Sequence, residues 1–181
     1  MRVRPSALLF SALVLVFSNF SSALAQKAPE AAPAKEGVLK AAEVGDKLFP
    51  DKVFFRGLVA TVQARNSGGV RYADGFLVMA GLVDNSGYSS GLKERYQAYL
   101  ITEVPIEIGG QTLKPGAYGC GFIEGDKLVV LDLGANDVFQ VTSTKDAELK
   151  RPVPLQFLAG SEAGKYRLYK GKDYVEFKRV K

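Results

Sequence analysis

The stretch from Gly109 to Leu133 constrains this chain more than any other, because three turn signals there bracket a clear strand pattern. Gly109-Gly110, between Ile108 and Gln111, suits a two-residue type I′ loop in which both central residues take φ > 0. Lys114-Pro115-Gly116-Ala117 reads as a type II turn, with proline presetting φ at its second position and glycine at its third. Gly125-Asp126, glycine first, fits a type II′ hairpin loop. That loop sets Ile123 opposite Leu128, Phe122 opposite Val129, Cys120 opposite Leu131 and Tyr118 opposite Leu133. Side chains alternate along a strand, so Tyr118, Cys120, Phe122, Val129, Leu131 and Leu133 then share one apolar face. The opposite face carries Gly119, Gly121, Ile123, Leu128, Val130 and Asp132, with a bare patch at the two glycines.

The same punctuation continues on both sides. Val53–Arg56 and Leu58–Ala64 are short apolar runs broken at Gly57, and Asn66-Ser67-Gly68-Gly69 reads as a loop. Asp74-Gly75 is a hairpin signal between Val70–Ala73 and Phe76–Asp84. Asn85–Gly91 is the longest polar loop, followed by a short helix or turn through Arg95. Tyr96, Ala98, Leu100, Thr102, Val104, Ile106 and Ile108 then alternate with period two, which predicts strand, with Pro105 marking an edge or a break. Val138–Thr144, Val153–Ala159, Tyr166–Tyr169 and Tyr174–Arg179 complete the series. Turn signals every 8–12 residues or so predict an all-β fold, an antiparallel β-sandwich or flattened barrel. We expect about nine to eleven short strands and at most one short helix, and no helix long enough to build βαβ units.

The first segment reads as an address. Arg2 and Arg4, the apolar run Ala7–Phe17 and the small residues of Ser21–Ala25 are the parts of a secretory signal cleaved after Ala25. The run is well short of the ~20 residues that cross a bilayer. Removing 25 of 181 residues leaves 156, a normal single domain, and lowers the formal charge from +5 to +3. So small a charge on an exported chain argues against a nucleic-acid partner. Residues 26–47, rich in Ala, Pro, Lys and Glu, read as a flexible linker, with one or two helical turns at most in Gly37–Val44. One β-sandwich domain is expected over 48–181.

The chain has no histidine, which excludes a histidine-activated serine or cysteine and any histidine metal site. The single cysteine, Cys120, can form no internal disulfide and lies in the apolar pattern, so it reads as a small buried hydrophobe. Glu103 and Glu107 share a strand face but stand roughly 13 Å apart, beyond the spacing of a glycosidase pair. Asp84, Asp132 and Asp137 are the carboxylates that only tertiary folding would bring together. An EF-hand loop starting at Asp84 fails, since Ser89 and Arg95 fall where glycine and glutamate are required.

The binding candidates are therefore Gly119, Gly121 and Asp132 on the bare face, where glycines admit a ring or ligand close to the sheet, together with Asp84 and Tyr88 around the polar loop. Against this stands a large side chain from a neighbouring layer filling the gap. Seven basic residues in Lys165–Lys181, among them Lys165, Arg167, Lys170 and Lys172, suggest contact with an anionic surface. The alternative is a terminal hairpin whose lysines guard against edge-to-edge pairing. No catalytic residue, metal ligand or cofactor is assigned.

At Ile108–Tyr118, Asp137–Val141 and Arg151–Leu155 the chain resembles a group of exported bacterial β-sandwich domains that share an L-x-P-G-x-Y turn-and-strand element, here Leu113-Lys-Pro-Gly-Ala-Tyr118. The resemblance implies fold and export; that group has no assigned activity. The expected function is an exported, non-catalytic module that binds a ligand or partner. The alternatives are a carboxylate-dependent hydrolase and a small barrel carrying an apolar ligand.

Overall fold

A computed structural model describes residues 35–180. The signal-like segment and residues 26–34 of the expected linker lie outside the described residues. In chain order come β1 (Gly37–Leu39), α1 (Ala41–Leu48), β2 (Lys52–Phe55), β3 (Leu58–Arg71) and β4 (Leu77–Val83). After α2 (Ser90–Arg95) follow β5 (Ala98–Thr102), β6 (Ile106–Ile108), β7 (Gln111–Leu113), β8 (Gly116–Ile123) and β9 (Lys127–Leu131). The last are β10 (Asp137–Thr142), β11 (Thr144–Lys145), β12 (Gln156–Ala159), β13 (Lys165–Lys170) and β14 (Asp173–Arg179).

The strands form two antiparallel sheets, as the turn spacing predicts. The first runs β1-β3-β4-β5-β8-β9-β10, with β2 paired to the early part of β3. The second runs β12-β13-β14-β6-β7, with β11 on β14. The β6–β7 hairpin turns at Gly109-Gly110, whose φ values of 55° and 82° match the expected type I′ loop. Period-two burial persists from Tyr96 to Ile108, yet the run is split at Glu103–Pro105, where the chain leaves the first sheet for the second. It returns across Lys114-Pro115, so the expected type II turn there is instead an inter-sheet passage, with β8 starting at Gly116.

Two apolar clusters sit on opposite faces of the first sheet. One lies between the sheets and includes Val78, Leu100, Ile106, Leu128, Val130, Leu168 and Phe177. The other lies on the outer face, where α1, β2 and α2 cover Met79, Tyr99, Val129 and Leu131 with Val44, Phe55, Leu92 and Tyr96. A sheet covered on both faces has strands that are apolar throughout. This accounts for Leu128–Leu131, each with no exposed surface.

Other local expectations are corrected as well. The stretch 37–48 is built into the domain as β1 and α1, because Val38, Leu39 and Val44 have places in the two clusters and β1 pairs with Gly69–Arg71 of β3. There are thus two helices rather than at most one, and fourteen strands rather than nine to eleven among the described residues. Asn66–Gly69 is not a loop but part of β3, which shifts register between Val62 and Ser67 and continues to Arg71. The β8–β9 loop holds three residues rather than two, with positive φ at both Gly125 (79°) and Asp126 (53°), so Ile123 pairs with Lys127 and Cys120 with Val130.

Candidate functional site

A one-residue change of register sends every side chain of the partner strand to the other face. Cys120 and Phe122 therefore share the inter-sheet face with Leu128 and Val130, while Gly119 and Gly121 face outward with Val129 and Leu131. The Tyr118/Cys120/Phe122 side is packed: the void beside Cys120 measures about 10 Å³, room for no more than one water.

The bare patch at the glycines is filled from within. Phe55 and Tyr96 stack over Gly119 with ring centroids 3.8 Å apart and planes 11° from parallel. A Cβ at position 119 would stand 2.5 Å from the Phe55 ring and 2.8 Å from that of Tyr96. Gly121 lies under the end of α2, where a Cβ would meet the Arg95 carbonyl oxygen at 2.4 Å. The Gln97 amide holds this segment down, donating to the Phe122 carbonyl and accepting from its N–H, both at 3.0 Å. Tyr88 belongs to the same packing, edge-on to Tyr96 and donating its hydroxyl to the Phe55 carbonyl at 2.9 Å. Gly119 and Tyr88, both binding candidates by sequence, are thus brought together around the Phe55 and Tyr96 rings, but as core.

The carboxylates are each engaged separately. Asp84 accepts from the Ser86 N–H at 3.0 Å and closes the start of the polar loop. Asp132 lies beyond the end of β9, where its carboxylate accepts from the Gly134 and Asn136 N–H groups at 2.8 and 2.9 Å and from the Asn136 side chain. Asp137 pairs with Arg95 and accepts from the Gln140 amide at 3.0 Å. The Asn136 side chain lowers the Asp132 pKa, the Ser86 N–H lowers that of Asp84, and the Arg95 guanidinium lowers that of Asp137. A general acid requires a shift in the opposite direction.

These shifts carry a prediction. A carboxyl whose folded pKa is depressed stabilises the fold above its unfolded value, near 3.9, and loses that contribution as pH falls through the folded value. Stability to urea should hold as pH falls to about 4 and decline below it. Asp137→Asn should flatten that decline while leaving Cys120 buried, measured as urea midpoints across the acid range. An unchanged acid limb in the variant would refute the Arg95–Asp137 contribution.

The basic tail is largely occupied. Lys165 contacts Glu162 at 3.1 Å and Glu176 at 3.7 Å, and Arg167 contacts Glu176 at 3.3 Å while its guanidinium lies 4.6 Å above the Tyr174 ring. Lys172 donates to the Ala147 carbonyl at 3.4 Å, while Lys170 lies opposite Asp173 only in backbone register, that carboxylate contacting Lys145 at 3.9 Å. Both tail strands lie inside the second sheet, β13 between β12 and β14 and β14 between β13 and β6. The lysines therefore guard no sheet edge.

A mainly apolar open feature lies elsewhere. Where β1 borders the first sheet and β12 borders the second, a groove of about 590 Å³ remains. One wall is Val38, Leu39 and Ala41; the other is Val153 and Leu155–Ala159. Gly68 of β3 lies close against β12 here, where a Cβ would meet the Phe157 ring at 3.1 Å. Lys40 and Arg65, both exposed, stand at its rim. Neither wall was legible as a site: β1 sits in an Ala/Lys/Glu-rich stretch, and Val153–Leu155 reads as an ordinary strand start behind Pro152. Among the described residues no helix is long and apolar enough to cross a membrane, and no group of three or more carboxylate or thiol side chains is placed to hold a metal. No family model matches the chain, and no similar protein is found among curated proteins or solved structures.

Proposed function

We propose that this protein is an exported, non-catalytic β-sandwich module that binds a ligand in the groove between β1 and β12. The groove carries the reading: at about 590 Å³ it falls within the 300–1,000 Å³ or so of small-molecule sites, and like them it is mainly apolar with a few polar groups at its rim. Export rests on the basic start, short apolar run and small-residue site of Met1–Ala25, in keeping with the resemblance carried by Leu113–Tyr118. The dispersed, hydrogen-bonded carboxylates Asp84, Asp132 and Asp137 offer nothing comparable for a hydrolase.

The test is binding of a neutral fluorescent apolar probe, N-phenyl-1-naphthylamine. Saturable one-to-one binding is expected. Val153→Asp should weaken it at least about tenfold, since it sets a charge in the apolar wall at a side chain that is 42% exposed and tolerant of change. Equal binding by this variant, with circular dichroism unchanged, would place the ligand elsewhere.

A further inference from the structure

Resting on that groove reading, we infer that the ligand is a linear amphiphile, an alkyl chain ending in a carboxylate, with the chain along β12 and the carboxylate at Lys40 and Arg65. The lining divides by chemistry. Its walls are aliphatic and aromatic, its two ionisable groups are both cations, and no carboxylate is among the described residues that line it. Of the acidic side chains nearby in sequence, Glu36 and Glu43 are directed to other partners, while Asp46 lines the adjoining hollow with Lys47 and Arg65 rather than the groove itself. Glu36 accepts from the Tyr166 hydroxyl at 3.1 Å, and Glu43 accepts from the Lys40 backbone N–H at 3.0 Å. Of the neutral polar residues in the lining, Ser67 donates its hydroxyl to the Ala64 carbonyl at 2.6 Å. The side-chain nitrogen of Gln156 is buried and has no acceptor among the described residues. The two charged side chains of the lining are thus both donors, and a ligand that brings acceptor oxygens is their complement.

Position favours the same class. Lys40 precedes α1 and Arg65 lies on β3, so the cations reach the rim from two separate elements, in water, where a carboxylate keeps much of its hydration. An arginine fork matches a carboxylate through two parallel hydrogen bonds. The chain would replace water against Val153, Leu155 and Leu158, and each buried methylene should strengthen binding by up to about fourfold, the ratio equivalent to ~0.8 kcal/mol.

Displacement of the bound neutral probe at about pH 7.5, below micelle concentrations, tests this with dodecanoate, decanoate and dodecanol. Dodecanoate should displace the probe at least about fivefold more tightly than dodecanol, and more tightly than decanoate. Arg65→Gln and Lys40→Gln should each weaken dodecanoate by about two- to fivefold and leave dodecanol unchanged, and added salt should narrow the gap between the two ligands. Equal displacement by dodecanoate and dodecanol, or variants that leave dodecanoate unaffected, would overturn the carboxylate assignment while the groove stands. Failure of the neutral probe itself to bind would remove the groove reading and this inference with it.

Discussion

Phe55→Ala should lower the free energy of unfolding by about 3–5 kcal/mol, the range for deleting a fully buried phenylalanine ring. Phe55 has no exposed surface, stacks on Tyr96, meets Tyr88 edge-on at 6.1 Å and occupies the space over Gly119. Its removal leaves a cavity lined by the Tyr88 and Tyr96 rings. Gly119→Ala attacks the same contact from the other side, setting a methyl 2.5 Å from that ring, and overpacking of this kind costs about 1–3 kcal/mol. The double variant should lose less than the two single losses combined, because alanine at 55 clears the nearer of the two rings that a Cβ at 119 would strike and gives the Tyr96 ring room to shift. A coupling of about 1 kcal/mol or more in urea unfolding is expected. Strict additivity would mean that Phe55 does not fill the glycine patch.

This contact also shows where sequence reasoning stops. The turns at Gly109-Gly110 and Asp74-Gly75, the alternation from Tyr96 to Ile108 and the break at Pro105 are local, and the structure keeps them. The β8–β9 register is misplaced by sequence because its usual guide is missing. Alternation fixes register when one face of a strand is polar. Leu128, Val129, Val130 and Leu131 are apolar on both faces, so shifting the loop by one residue leaves the pattern equally satisfied. What separates the two registers is the covering of the outer face by β2 and α2, a contact between residues far apart in the chain. The same covering turns Gly119 and Gly121 from an apparent ligand platform into the seat of Phe55 and the end of α2.

The groove is hidden for a related reason. Its two walls, Val38–Ala41 and Val153–Ala159, are more than a hundred residues apart and belong to different sheets. Neither carries a motif that points to a binding site. A void between sheet borders is a property of how layers meet, and composition in either wall says nothing of it. The alanine- and lysine-rich character of 37–48 conceals the wall further, since three strand residues and a short helix add little periodicity.

Cys120 should resist a thiol reagent such as Ellman's reagent by at least about a thousandfold relative to the urea-unfolded chain, because modification requires the thiol to leave the core. It is 1% exposed between the sheets, and burial pushes its pKa up to about 12, so the folded thiol is both shielded and protonated. Reaction through opening predicts a pH dependence set by the exposed thiol, rising toward its ordinary pKa near 8.5 rather than toward the raised native value. It also ties this residue to Phe55 across the thickness of the first sheet. Cys120 faces one cluster and Phe55 the other, with β8 between them. If both layers open as one unit, Phe55→Ala should speed modification of Cys120 by about 10²–10³·⁵-fold, its loss of 3–5 kcal/mol read at tenfold per 1.4 kcal/mol. Fast labelling of the native protein would refute the burial of Cys120. A slow rate that Phe55→Ala leaves unchanged would show β8 reaching solvent by local opening, with the two faces of the sheet unfolding independently.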